Sequence, residues 1–150
     1  MTTLLLPLVR TDDPMHFERT YRRERASARL VRHDMKTWLV GQRPSLLPRY
    51  VAAAQLVVSE LAANALVHGA GFRIHLDAAL TPGLLRIAIQ DSSREVPFIV
   101  RAGPGLHEQG NGLVVVSALC DRWGVVFASP TGKWVWAQLH LPTAGPAAAS

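Results

Sequence analysis

Glu60, Asn64 and His68 stand four residues apart in the run Ser59-Glu60-Leu61-Ala62-Ala63-Asn64-Ala65-Leu66-Val67-His68-Gly69. In a helix each step of four turns the chain by about 400°, so the three drift only about 40° per step and share one stripe. The rest of the cylinder is apolar, through Leu56, Val57, Val58, Leu61, Ala62, Ala65 and Leu66. A helix that is apolar nearly all round is normally buried. A carboxylate and an amide carried on such a helix need partners, because an unpaired buried polar group costs roughly 1–3 kcal/mol. A bound metal ion, a nucleotide or water would supply them. The competing reading is an ordinary solvated face.

Three further places carry residues suited to chemistry. Asp91 ends the alternating run Leu84-Leu85-Arg86-Ile87-Ala88-Ile89-Gln90-Asp91, on the same face as Leu85, Ile87 and Ile89. A carboxylate there is unusual unless something binds it, or unless it caps the turn through Ser92 and Ser93. Gly110-Asn111-Gly112-Leu113 precedes an apolar run. Glycines that open a helix leave backbone N–H groups free to hold an anion, helped by the helix dipole. The residues before it, Arg94 to Gln109, show no period, and a loop that long is usually a lid or a binding loop. Cys120 follows an apolar run with no catalytic partner pattern around it, so packing is its expected role.

The elements that must position these groups follow from periodicity. Leu4–Val9 reads as an edge strand, since Pro7 suits an edge. From about Phe17 the pattern reads as helical, with Ala26, Leu30, Val31, His33, Met35, Trp38 and Leu39 as its apolar stripe. Gly41 ends that helix. A second helix starts at Pro48, where the missing N–H does no harm, and runs to His68 before Gly69-Ala70-Gly71 stops it. Phe72–Ala78 alternates with Phe72, Ile74, Leu76 and Ala78 on one face, and Thr81-Pro82-Gly83 turns it into an antiparallel partner over Leu84–Asp91. Val114–Leu119 is assigned to helix against the strand preference of its valines, because Trp123–Phe127 already reads as the next strand. The last strand is Lys133–Leu139, with Val135, Ala137 and Leu139 inward and Trp134 and Trp136 exposed on the outer sheet face, where they would suit a homodimer or partner contact. The order strand, two helices, two strands, loop, helix, two strands predicts an α+β fold in two layers, with helices on one face of a mixed, mostly antiparallel sheet.

Composition bounds the rest. At 150 residues with 49% hydrophobic and 18% charged residues, the chain reads as one globular domain over residues 1–141 with a disordered tail at 142–150. Its apolar tracts are broken by polar residues, so no membrane span is expected. The start has no basic segment or cleavage signature, and the single cysteine agrees with a reducing compartment, so the expected location is cytoplasmic. The net charge is +5, and seven cations cluster from Arg19 to Lys36. Such a segment can meet nucleic acid, an acidic protein or water alone. No interleaved aromatic and basic recognition motif supports nucleic acid.

Taken in order, these motifs resemble the GHKL ATPase superfamily with its Bergerat nucleotide-binding fold, and more narrowly the short anti-sigma-factor serine kinases common in actinobacteria. The resemblance rests on Val58–Gly69, Asp91-Ser92-Ser93 with Pro97, Gly110-Asn111-Gly112-Leu113, Asp121-Arg122-Trp123-Gly124 and Gly132-Lys133-Trp134-Val135-Trp136, and it covers Leu4 to Leu141. It implies ATP and Mg²⁺ as cofactors. By it, Asn64 holds Mg²⁺, Glu60 is the general base, and His68 lies near the phosphates. Asp91 accepts the adenine amino group, Gly110 and Gly112 with the adjoining Leu113 form the phosphate-binding turn, and Thr131 reaches the adenine side. The chain departs from the family pattern after Asp91, where serines replace the usual glycines. The implied activity is a serine kinase acting on a STAS-type anti-anti-sigma protein, with capture of a sigma factor. The alternative is a Bergerat domain that binds nucleotide weakly and works by grasping a partner.

Overall fold

The computed structural model describes residues 15–94, 108–128 and 132–143, with residues 108–113 described by their backbone alone. The elements run β1 (His16–Arg22), α1 (Ser27–Gln42), α2 (Pro48–His68), β2 (Arg73–Thr81), β3 (Leu84–Asp91), α3 (Glu108–Leu119), β4 (Arg122–Phe127) and β5 (Lys133–His140). The strands form one sheet in the order β1-β2-β3-β5-β4, and every pairing among them is antiparallel. This is the expected α+β architecture of the Bergerat type, and among the described residues the sheet is wholly antiparallel.

Alternation explains the layers. Ile74, Leu76, Ala78 and Leu80 of β2, Leu85, Ile87 and Ile89 of β3, and Val135, Ala137 and Leu139 of β5 form one buried row set. On it lie the buried residues of α2 (Val51, Ala54, Val57, Val58, Leu61, Ala62 and Ala65) and of α1 (Val31, Met35 and Leu39). α2 is the hub, packed between α1 and α3 and across β3. Pro48 opens it and Gly69 ends it, as the sequence predicts. By length and composition α2 is apolar enough to cross a membrane, contrary to the expectation from the tract pattern, and here it serves as the central core helix.

Three sequence expectations are corrected. The first concerns Phe17 onward, which is strand β1 before it is helix. Phe17 and Tyr21 face the helices, with Arg19 between them pairing with Asp34 of α1 at 3.0 Å, so the seven cations are split among a strand, a turn and α1. The expected strand at Leu4–Val9 lies outside the described residues. The second is Phe72, which precedes β2 and is 93% exposed rather than inward.

The third concerns Trp134 and Trp136, which are only 7% and 8% exposed. They do point to the outer sheet face, but they form a second apolar cluster with Ala88, against Val126 and Ala128. Trp136 lies over Gly124, its cross-strand partner, and Trp134 packs edge-on against His75 at 5.7 Å. Small neighbours let the indoles settle into the sheet surface, which removes the exposed pair on which a tryptophan-mediated contact depended.

A Cβ on Gly124 would come within 2.9 Å of the Trp136 ring. Gly124→Ala is therefore expected to destabilise the fold by about 1–3 kcal/mol through overpacking. The check is a fall in the urea midpoint at unchanged slope; an unchanged midpoint would contradict the packing described.

Candidate functional site

α2 carries its polar stripe along the border of the core. Glu60 is half-buried, and desolvation raises its carboxyl above the ordinary carboxylate range. Asn64 is also half-buried, and its Nδ2 is shielded from solvent without a hydrogen-bond partner, as is the Ser59 hydroxyl. His68 is exposed in the last turn. An orphaned donor on Asn64, one turn from a destabilised carboxylate on the same stripe, marks this border as a place prepared for a ligand.

Asp91 stands at the end of the inward row of β3 and is 3% exposed. Its surroundings are built from four residues on three chain segments. Gly69 closes α2 so tightly against it that a Cβ there would lie 2.9 Å from the Asp91 carboxyl carbon. Gly132, at φ +100°, passes so close that a Cβ would sit 2.5 Å from the Asp91 carbonyl oxygen. The backbone N–H of Ser93 donates to Oδ1 at 2.6 Å, so Asp91 does cap the turn that follows it. Lys133, directly opposite in the β3–β5 ladder, donates from Nζ to both carboxylate oxygens at 3.1 and 3.0 Å. Its ammonium is itself buried.

Gly69 lies five residues beyond Asn64, about 7.5 Å along the helix axis. The strand-end acid and the end of the polar helix therefore meet on one side of the sheet, as the sequence predicts. Other parts of the predicted site are less fully placed. Gly110, Gly112 and Leu113 fall inside α3, which begins at Glu108 and packs on α2, so the helix starts two residues before the glycines expected to open it. Thr131 and the lid segment 95–107 lie outside the described residues. A cleft of about 210 Å³ touches Asp91 and Ser92 but opens among Thr20, Arg73, Ile74, His75 and Gln90, and includes no residue of α2.

Lys133 is the residue that sequence reasoning missed. The signal was present: alternation over Lys133–Leu139 puts it inward with Val135, and register then sets it across from Asp91. Cys120 is half-buried, and burial, reinforced by Asp121, pushes its thiol up to about 12, which agrees with a packing role.

Removing one member of a buried ion pair strands the other charge, at a cost of roughly 3–5 kcal/mol. Lys133→Met is expected to lose about that much stability, and adding Asp91→Asn to recover a large part of it. Urea unfolding of the two variants checks this; a double variant no more stable than Lys133→Met would exclude a stranded carboxylate as the cause.

No curated protein matches the chain. The family model described as the histidine kinase-like ATPase domain matches residues 21–139, a span that contains the whole of α2, Asp91, α3 and Lys133. A match over most of the chain, on an α+β fold whose polar helix ends against a buried strand-end acid, leaves one assignment: the protein belongs to the histidine kinase-like ATPase domain family, within the GHKL-type ATPases.

Proposed function

We propose that this chain is an ATP-binding regulator of the anti-sigma-factor type, which phosphorylates a serine of a STAS-type anti-anti-sigma partner. Domains of its family bind ATP, typically with Mg²⁺. The observation that carries the reading is the orphaned amide of Asn64, one helical turn from the desolvated carboxyl of Glu60. The unpartnered atom is the donor Nδ2, which fits a group that completes its bonding by donating to a phosphate oxygen when ligand arrives. Asn64 would hold Mg²⁺ through Oδ1, since that ion takes oxygen ligands. Glu60 would accept the proton of the attacking serine hydroxyl, a task helped by a carboxyl raised toward neutrality. Asp91 would accept the exocyclic amine of the base, sharing its oxygens with Lys133. His68 and the Gly110–Leu113 stretch would face the phosphates. Bound Mg-ATP supplies the transferable phosphoryl group and neutralises its charge; the protein contributes positioning.

A second reading, a binding module with weak nucleotide affinity, is favoured by one specific feature. The Asp91 carboxylate already accepts three hydrogen bonds, two from Lys133 and one from Ser93, so adenine must share it with an internal cation. In either case α1 offers a docking surface for an acidic partner such as a sigma factor or STAS protein, with Arg29, Arg32, His33 and Lys36 exposed along one face. A cytoplasmic location remains part of the proposal, and a homodimer loses its ground with the burial of Trp134 and Trp136.

Calorimetry with Mg-ATP separates the readings: heat with saturation supports the kinase, and none at millimolar nucleotide supports the module. Glu60→Ala is expected to keep Mg-ATP binding while losing roughly 10²–10⁴-fold in transfer rate, and Asn64→Ala to weaken binding itself. Equal transfer by wild type and Glu60→Ala would remove Glu60 from the base role. Transfer should fall as pH drops through the raised range of Glu60, because the base works only when deprotonated. That fall should be absent from the residual rate of Glu60→Gln.

A further inference from the structure

The opposite face of the sheet holds a second polar cluster that the nucleotide reading does not use. β1 and β2 set Glu18 directly across from Asp77 on that outer face. Like charges directly opposite in a ladder repel and destabilise it. Asp77 is 2% exposed, and its Oδ2 has no hydrogen-bond partner. A buried carboxylate with a bare oxygen, facing a second carboxylate, needs positive charge.

Two histidines flank the pair. His16 Nε2 lies 2.8 Å from Asp77 Oδ1 and 3.9 Å from Glu18 Oε2, and His75 Nε2 lies 3.7 Å from Glu18 Oε1. Ligand atoms of His16, Glu18 and Asp77 all fall within 4.8 Å of one another, and His75 Nε2 stands outside that group, against Glu18. Tetrahedral zinc, with bonds of about 2.0–2.2 Å, separates its ligand atoms by roughly 3.3–3.5 Å, a spacing bracketed by the 2.8 and 3.9 Å found here. His75 is held against Glu18: its Nδ1 pairs with the Thr20 hydroxyl at 2.8 Å and its ring rests against Trp134, leaving Nε2 toward Glu18. Such outer contacts orient a metal-binding carboxylate. Glu18 and His75 retain 31% and 27% side-chain exposure, which provides an entry path. Arg86, the cation on the neighbouring strand of this face, forms no described ion pair with either carboxylate.

We propose that His16 Nε2, Glu18 and Asp77 form a binding site for a divalent transition metal of the Zn²⁺ class, clamping β1 to β2, with His75 as the residue that positions Glu18. An imidazole nitrogen among the ligands favours this class over Mg²⁺ or Ca²⁺, which take oxygen ligands. The site lies on the face away from the helices and is independent of the nucleotide reading.

The test is titration of the full chain with Zn²⁺ against a chromophoric chelator, with Co²⁺ as a spectroscopic probe. One equivalent is expected to bind with micromolar affinity or better, and Co²⁺ to show the visible bands of a low-coordinate site. Zn²⁺ should raise the melting temperature of wild type, because it binds only the folded chain. Glu18→Gln and His75→Ala, both at partly exposed positions that tolerate change, should each weaken binding more than about tenfold and lose the thermal shift; His140→Ala should change nothing. His16→Ala should abolish binding if it folds, and the two exposed-position variants decide the matter if it does not. No binding at 100-fold excess of metal, or binding that Glu18→Gln and His75→Ala leave intact, would overturn the proposal.

Discussion

The carboxylate of Asp91 cannot be left alone. It sits at the end of an apolar row, and the desolvation cost of an isolated buried carboxylate would exceed the stability of a domain this size. Its partners therefore constrain everything around it. Lys133 must lie across the ladder, which requires the β3–β5 register. Gly132 must take positive φ to bring β5 in beside the acid. α2 must end at a residue without a side chain, which is Gly69. The turn at Ser92 and Ser93 must present an N–H inward. Two strands, the turn after one of them and the hub helix are fixed relative to one another by the needs of one side chain.

The same helix that ends against Asp91 carries the polar stripe, and this gives the domain its asymmetry. One flank of α2 is committed to the core through Val57, Val58, Leu61 and Ala65, with no bonding left to satisfy. The two edges of that buried face leave polar atoms without partners, the Asn64 Nδ2 on the edge that carries Glu60 and the Ser59 hydroxyl on the other. Orphaned polar atoms persist in a folded chain when another molecule completes them, and the Asn64 amide lies within about two helical turns of a carboxylate that already holds a cation. A nucleotide entering this region meets a preformed electrostatic arrangement, and its affinity depends on how Lys133 rearranges when the base arrives.

The two long elements with strong periods were legible in the sequence: α2 from Pro48 to His68, and the β2–β3 hairpin, whose alternation and turn residues agree with the observed register. The inward position of Asp91 followed from the same alternation. β1 was not legible, for a physical reason. Its inward row is Phe17, Arg19 and Tyr21, its outward row His16, Glu18 and Thr20, and neither reads as apolar. Arg19 is tolerated inward because it reaches Asp34 and lies over the Tyr21 ring, a tertiary compensation that no local window contains. The tryptophans failed for a related reason. Alternation assigned their face correctly, but burial on that face depends on Gly124 and Ala88 from other strands. Lys133 was readable only as a pair with Asp91, once the register of two strands separated by α3 and β4 was known.

The outer face of the sheet carries the same logic as the helix side, with different chemistry. An exposed sheet face in an α+β domain needs no buried ionisable groups, yet His16 and Asp77 are as thoroughly buried as the core. Desolvation raises the Asp77 carboxyl, and its hydrogen bond and charge contact with His16 only partly oppose that rise. A sheet that merely covered a core would place threonine or lysine at such positions. Placing a carboxylate opposite a carboxylate, each within reach of an imidazole, costs stability in the bare chain and is recovered only when positive charge is shared among all four. Protons on the histidines could supply that charge in part, but they leave the second oxygen of Asp77 without a donor. A single divalent ion answers both needs at once, because it attracts the two carboxylates and accepts a lone pair from the His16 ring.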